Sequence, residues 1–335
     1  MKNVFFALLA ALMLVGILTG CTNRAEMPTV TAAPAGPQAE STAEEKIRIV
    51  TTIFPEYDWV REILGDKADS AEITMLLDNG VDLHSYQPTA DDLIKLSDCD
   101  LFVYVGGESD EWVEDALKSA ANKDRKVIHL LDALGDSVKE EETVEGMQEE
   151  EEDQEEKEYD EHVWLSLKNA KTLVGAISAA LQEIDPDNKD TYAANADAYG
   201  QKLSALDAEY QKAVSAGTYK TLLFGDRFPF RYLVDDYGLS YYAAFAGCSA
   251  ESEASFETVS FLARKVDEGK LPCVLTIEGK NHKIAETIVQ NTAGKNQKIL
   301  TMDSMQSTTS QDVARGTTYL SLMAKNLDVL KEALG

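Results

Sequence analysis

The chain has 335 residues, 44% hydrophobic and 27% charged, which is enough for two domains with cores of their own. Its formal net charge of −28 argues against nucleic acid and against an anionic lipid surface as partners. Much of that charge is local, because Lys139–Glu161 holds fourteen acidic and two basic residues. With few apolar anchors, such a block is expected to be disordered.

In chain order, Met1, Lys2 and Asn3 form a weakly basic start, and Val4 to Ile17 is an almost unbroken apolar run. Leu18-Thr19-Gly20-Cys21 follows, the layout of an export signal over residues 1–20 that is too short to span a bilayer comfortably. The ending resembles the lipobox of bacterial lipoproteins, which implies lipidation of Cys21; an ordinary cleaved signal peptide is the alternative. The rest of 21–46 is rich in Ala, Pro, Thr and Ser, has no periodicity, and reads as a flexible tether. Cys99, Cys248 and Cys273 lack metal-type CxxC spacing and are expected to be buried thiols, with Cys248–Cys273 the pairing to test.

Ile47–Ile53 alternates like a strand, which Pro55 breaks, and a helix is expected over Asp58–Leu64. Ile73–Leu77 predicts a second strand and Asp91–Leu96 a short helix. Leu101–Val105 is a continuous apolar run ended by Gly106-Gly107, the pattern of a strand buried on both faces. A helix over Trp112–Leu117 and a strand over Lys126–Leu131 complete this half. After the acidic block, a helix over Leu167–Ile184 is stopped by Asp185-Pro186. A longer one follows over 188–216, its buried stripe formed by Tyr192, Ala196, Tyr199, Leu203, Leu206, Tyr210 and Ala213. The alternation then resumes, with strands at Thr221–Phe224, Ser240–Phe245, Val274–Glu278 and Ile299–Met302. Helices are expected at Arg231–Asp236, Phe256–Glu268, Lys283–Thr292 and Thr317–Leu334. Strands alternating with helices imply parallel sheets covered on both sides. The expected fold is therefore α/β: two Rossmann-like lobes with parallel sheets, 47–187 and 217–335, joined by one long rigid helix, with the acidic loop 139–161 in the first lobe.

Only four histidines are present. His84 follows a predicted strand and precedes a helix, so it sits in the loop at the carboxyl end of a parallel strand, where ligands bind in open α/β sheets. His162 lies in a connection as well. His129 falls inside the apolar run Val127–Leu131 and reads as structural, and His282 reads as a surface or capping residue.

Gly80-Val81-Asp82-Leu83-His84-Ser85-Tyr86-Gln87-Pro88 resembles the GxDxHxYxP segment of the zinc- and manganese-specific solute-binding proteins of ABC importers. Asp160-Glu161-His162-Val163-Trp164-Leu165-Ser166 is similar to that family's DPHxWLSP, and Phe54-Pro55, Gly106–Trp112 and Asn326-Leu327 also match. The resemblance runs from about Ile47 to the terminus. It implies an extracytoplasmic, lipid-anchored monomer that holds one ion between its lobes and delivers it to an ABC permease. It implies His84 and His162 as first-lobe metal ligands and Asp303 as a second-lobe ligand. The remaining ligand position falls on Arg227, which cannot bind a cation. Asp226 beside it is the first substitute, Glu278 a ligand or an orienting group, and Glu251 and Glu253 are further options. Imidazole with carboxylate suits zinc as the cargo, and each added oxygen makes manganese more plausible. Two other classes compete: a zinc metalloenzyme, although no HExxH or adjacent nucleophile is seen, and a surface adhesin carried by the lipid anchor.

Overall fold

The structure, a computed structural model, describes residues 46–148, 158–249, 253–279 and 281–335. Cys21, with its expected lipidation, the export signal, the tether, the middle of the acidic block and Glu251 lie outside the described residues.

The first sheet is built from β1 (Ile47–Thr51), which leads into α1 (Phe54–Leu64), then β2 (Ala71–Met75), α2 (Ala90–Asp98), β3 (Leu101–Tyr104), α3 (Trp112–Ser119), β4 (Lys126–His129) and α4 (Leu130–Leu134). All its strands are parallel, in the order β2-β1-β3-β4. The strand ends at Thr51, and α1 starts earlier than expected with Pro55 in its first turn, because a proline there lacks only an N–H that would have no helical partner. The buried Glu56 carboxylate covers the start of that helix by accepting the N–H groups of Thr52 (2.8 Å) and Ile53 (3.2 Å). The strand expected to run to Leu131 stops at His129, since Leu130, Leu131 and Leu134 turn one helical face into the core and Gly135, at φ 51°, ends the turn.

Two long helices follow, α5 (Leu167–Ile184) and α6 (Lys189–Ala216), which pack along each other; α6 also lies against α1. Tyr192, Tyr199, Leu203 and Tyr210 are the buried ridge of α6, as its three–four spacing requires, with Ala196, Leu206 and Ala213 packed beside them. The second sheet comprises β5 (Thr221–Arg227), α7 (Arg231–Tyr237), β6 (Ser240–Phe245), α8 (Phe256–Gly269), β7 (Cys273–Ile277), α9 (Lys283–Asn291) and β8 (Lys298–Met302). It is parallel in the order β6-β5-β7-β8, which repeats the topology of the first sheet. Short α10 (Ser310–Ala314), which the sequence reading missed, is opened by a Thr309–Asp312 capping box. α11 (Tyr319–Leu334) then returns across the back to pack on α6, β8 and α1.

The acidic block departs from expectation. Its described flanks are held: Glu140 pairs with Tyr159 as an antiparallel bridge, and the backbone N–H of Gln148 donates to Ala244 O at 3.0 Å. Met147 is buried, Arg231 pairs with Glu142 at 3.2 Å, and Lys265 lies 3.6 Å from Glu145. The charge run supplies partners for second-lobe cations, so residues 140–148 form a strap across α7, β6 and α8.

Candidate metal centre

Two short segments of the first lobe fold alike. In Asp82-Leu83-His84, Asp82 Oδ1 accepts both the backbone N–H of His84 (3.1 Å) and its ring Nδ1 (2.6 Å). In Asp160-Glu161-His162, Asp160 Oδ1 accepts the His162 backbone N–H (2.8 Å) and ring Nδ1 (3.0 Å). A carboxylate can only accept, so in each ring Nδ1 carries the proton and Nε2 is left with its lone pair. Both Nε2 atoms are buried with no hydrogen-bond partner, and the ring centroids are 5.3 Å apart. His162 is 0% exposed. A carboxylate fixing the far nitrogen is how metal-binding imidazoles are oriented and made more basic.

The His162 loop is pinned from the second lobe. Tyr232 Oη donates to Asp160 O (2.8 Å), Trp164 Nε1 donates to Ser304 O (2.9 Å), and Tyr319 Oη donates to Trp164 O (2.6 Å). On its other side, Glu161 Oε1 accepts Ser109 N–H at 2.9 Å, close against Gly107. Gly107 has φ 80°, and a Cβ there would lie 2.3 Å from Glu161 Oε1, so both the backbone conformation and the space demand glycine.

The second-lobe residues expected at the site end strands that face this pair, but most of their oxygens are engaged. β5 extends three residues beyond its predicted end, and an irregularity in its pairing with β6 between Phe224 and Arg227 aims Asp226 and Arg227 into the cleft. Asp226 accepts the N–H of Arg227 (3.0 Å) and of Ile277 (3.2 Å). Arg227 crosses to the first lobe and pairs with Asp82 at 2.5 Å, so the guanidinium reaches His84 through the carboxylate that orients it. Glu278 accepts the N–H (2.6 Å) and Oγ–H (2.7 Å) of Ser304. Asp303 accepts Met305 N–H through Oδ1 only, while Asn326 clasps its backbone on both sides at 2.7 and 2.8 Å. Glu253 is exposed. The cleft, about 390 Å³, is lined by Asp82, His84, Asp226, Arg227, Ser249 and Glu278 among others. A larger groove of about 640 Å³ along α2 and α3 is lined by Leu93, Ile94 and Trp112 and holds no imidazole.

Among the described residues, the donors close enough to share one ion are His84, His162 and Cys248, whose donor atoms lie within 4.8 Å of one another. Asp226, Glu278 and Asp303 lie outside this group. Cys248, Cys99 and Cys273 are all free thiols, so the Cys248–Cys273 bridge is absent; Cys99 and Cys273 are buried as expected, but Cys248 is only half-buried. Sequence reasoning missed Cys248 because it lacks a paired-cysteine spacing. Its position just beyond the carboxyl end of β6 was the available signal. The orienting aspartates Asp82 and Asp160 were also missed as such, although the repeated Asp-x-His was there to see.

Burial and electrostatics act together here. Burial alone would raise the Asp82 carboxyl, but hydrogen bonds from His84 and Arg227 hold it far below the ordinary carboxylate range. Burial pushes Glu161 up to about 7, against the hydrogen bonds from Ser109. Asp303 is raised to about 6 by burial and then by the neighbouring Glu278 charge. Burial, followed by the nearby carboxylates Glu141, Glu161 and Asp160, raises the Cys248 thiol well above its usual value.

Two parallel α/β lobes, with two aspartate-held histidines and a thiol brought together beyond their strand ends, define the class: a two-lobed α/β protein with a donor-lined cleft. The family model described as zinc-uptake complex component A, periplasmic, matches residues 49–333, and the chain belongs to that family. It is 33% identical over 296 residues to the zinc-binding lipoprotein AdcA of Streptococcus pneumoniae, covering 87% of this chain and 56% of that protein. The chain thus spans about half the length of that relative. It is 30% identical to the high-affinity zinc uptake system protein ZnuA of Bacillus subtilis, covering 87% of this chain and 88% of that protein. The crystal structure of the Zn(II)-bound ZnuA-like domain of S. pneumoniae AdcA superposes with a TM-score of 0.68 at 31% identity, covering 87% of this chain and 99% of that domain.

Proposed function

We propose that this chain captures a divalent transition-metal ion, zinc in the first place, in the cleft between its lobes and delivers it to an ABC permease outside the cytoplasm. Cys21 is the proposed point of lipid attachment. The observation that carries the reading is the pair of Asp-fixed imidazoles, His84 and His162, whose buried Nε2 atoms have no partner in the protein. A dry nitrogen lone pair without a donor is unfavourable to leave unmet, and an ion answers both at once. Of the second-lobe carboxylates, Asp303 keeps an oxygen without a hydrogen bond and is the one to close on the ion. Delivery follows when lobe movement separates the two sets of donors.

Native mass spectrometry with zinc, read beside thermal unfolding, tests this. One ion per chain is expected, with about 2.7 kcal/mol of added stability at a hundredfold excess over Kd. Both effects should vanish in His84→Ala and His162→Ala. Unchanged metal content in both variants would move the site elsewhere.

A further inference from the structure

We propose that Cys248 supplies the second lobe's leading donor, so that the cargo ion is held by two imidazoles and a thiolate, a set that favours zinc over manganese. The inference rests on the metal-capture reading and specifies its chemistry. Four observations converge on it. The Cys248 sulfur shares a 4.8 Å cluster with donor atoms of His84 and His162 and with no carboxylate among the described residues. His162, 0% exposed, leaves Nε2 unpartnered, and Glu161, 2% exposed, leaves Oε2 unpartnered beside it, 3.9 Å from His84 Nε2. At the end of β5, where an oxygen or nitrogen donor was expected, the second lobe presents Arg227 instead, already committed to Asp82. Finally, β6 occupies in its sheet the place that β2 occupies in the first, so Cys248 is the topological counterpart of His84.

The cysteine loop is built to keep the sulfur in place. Cys248 N–H donates to Glu141 Oε1 at 3.1 Å, and Arg227 Nη1 donates to Ser249 O at 3.4 Å. Gly247 packs directly on the His162 ring: a Cβ there would lie 3.0 Å from Cε1 and 3.0 Å from Phe228 O. A side chain here would press on the ring and on that carbonyl, so glycine suits the close approach of the loop. The Glu161 backbone N–H hydrogen-bonds the sulfur, a smaller influence than the burial and the nearby carboxylates that raise the thiol overall. By contrast, the buried Cys99 spends its thiol on Leu96 O at 3.2 Å. Tetrahedral zinc would draw three such donors to about 3.3–3.7 Å apart, so the open cluster needs only a small inward movement. The metal–sulfur bond forms as the S–H proton passes to solvent. Thiolate suits zinc and is a poor partner for manganese, so the same residue sets selectivity.

Cobalt(II) reports the ligand directly. Reduced full-length protein loaded with one equivalent is expected to show a near-ultraviolet sulfur-to-cobalt charge-transfer band, absent in both Cys248→Ser and Cys248→Ala and retained in Cys273→Ala. Zinc affinity, measured by chelator competition, should fall about tenfold or more in Cys248→Ser while manganese affinity stays within about threefold. Metal-free thermal unfolding of each variant separates loss of a ligand from loss of the fold. One bound cobalt without the band, or a band that survives Cys248→Ser, overturns the thiolate while leaving metal capture intact. No stoichiometric binding by the wild type overturns both.

Discussion

The two lobes share a strand order yet prepare their halves of the cleft differently. In the first, each histidine is locked by an aspartate two residues upstream, which holds both the backbone N–H and the ring and frees one nitrogen. In the second, Asp226 and Glu278 turn their oxygens onto backbone and hydroxyl donors of their own lobe, and Arg227 reaches across to brace the first. The first lobe presents two oriented imidazoles; of the second-lobe groups expected at the site, Asp303 alone keeps an oxygen without a hydrogen bond, and the Cys248 thiol lies beside the imidazoles. On the proposed reading, the first lobe would make the earlier contacts with the ion, and the second lobe would complete them.

The sharpest way to break this contrast is to unlock a histidine without removing it. In Asp160→Ala the His162 ring loses the partner that fixes its tautomer, and a buried N–H is left without an acceptor. Zinc affinity is expected to fall about 10–100-fold, and the metal-free protein should lose about 1–3 kcal/mol of stability to the unsatisfied group. Calorimetric titration beside denaturant unfolding separates the two. Affinity within twofold of wild type would mean that the first lobe is not pre-oriented by its carboxylates.

A second contrast lies in the seam where α1 of the first lobe meets α11 of the second. There the buried Asp58 of α1 accepts the first N–H of α11, from Tyr319, at 2.9 Å. Burial raises its carboxyl to about 6 despite that bond. A folded-state value above the unfolded one of about 3.9 makes a contribution that is full below about pH 4 and is lost as pH rises through about 6. Asp58→Asn keeps the acceptor and cannot ionise. Its stability relative to wild type should therefore improve by about 2 kcal/mol between pH 4 and pH 8. A pH-independent difference in chemical unfolding would show that the seam carries no such ionisation.

Much of this was legible in the sequence, and the failures have physical reasons. Period and apolar runs located both sheets and the α6 stripe, because Tyr192, Tyr199, Leu203 and Tyr210 repeat every three to four residues along one buried face. His84 and His162 stood out because each sits in a motif that resembles the family's, Gly80–Pro88 and Asp160–Ser166. The strap at 140–148 was not, since its anchors Met147, Arg231 and Lys265 become partners only when the second lobe folds against it. Cys248 was hidden for the same reason. Its neighbours in the cluster are 86 and 164 residues away in the chain, and no local spacing records that meeting.

The smallest expected effect is the one that decides whether the second-lobe frame takes part at all. Asp226, the first substitute for the missing ligand in the sequence, has each oxygen on a backbone N–H, one at its own strand end and one on β7. Turning either toward an ion would give up a backbone hydrogen bond that the carboxylate now accepts. Asp226→Asn keeps one of the two acceptors and the shape of the side chain. Zinc affinity should change by less than about threefold, or about 0.6 kcal/mol, while stability falls by about 1 kcal/mol for the mismatched amide. A tenfold loss of affinity at unchanged stability would instead put an Asp226 oxygen on the ion. The frame would then be a ligand set, and the asymmetry between the lobes would disappear.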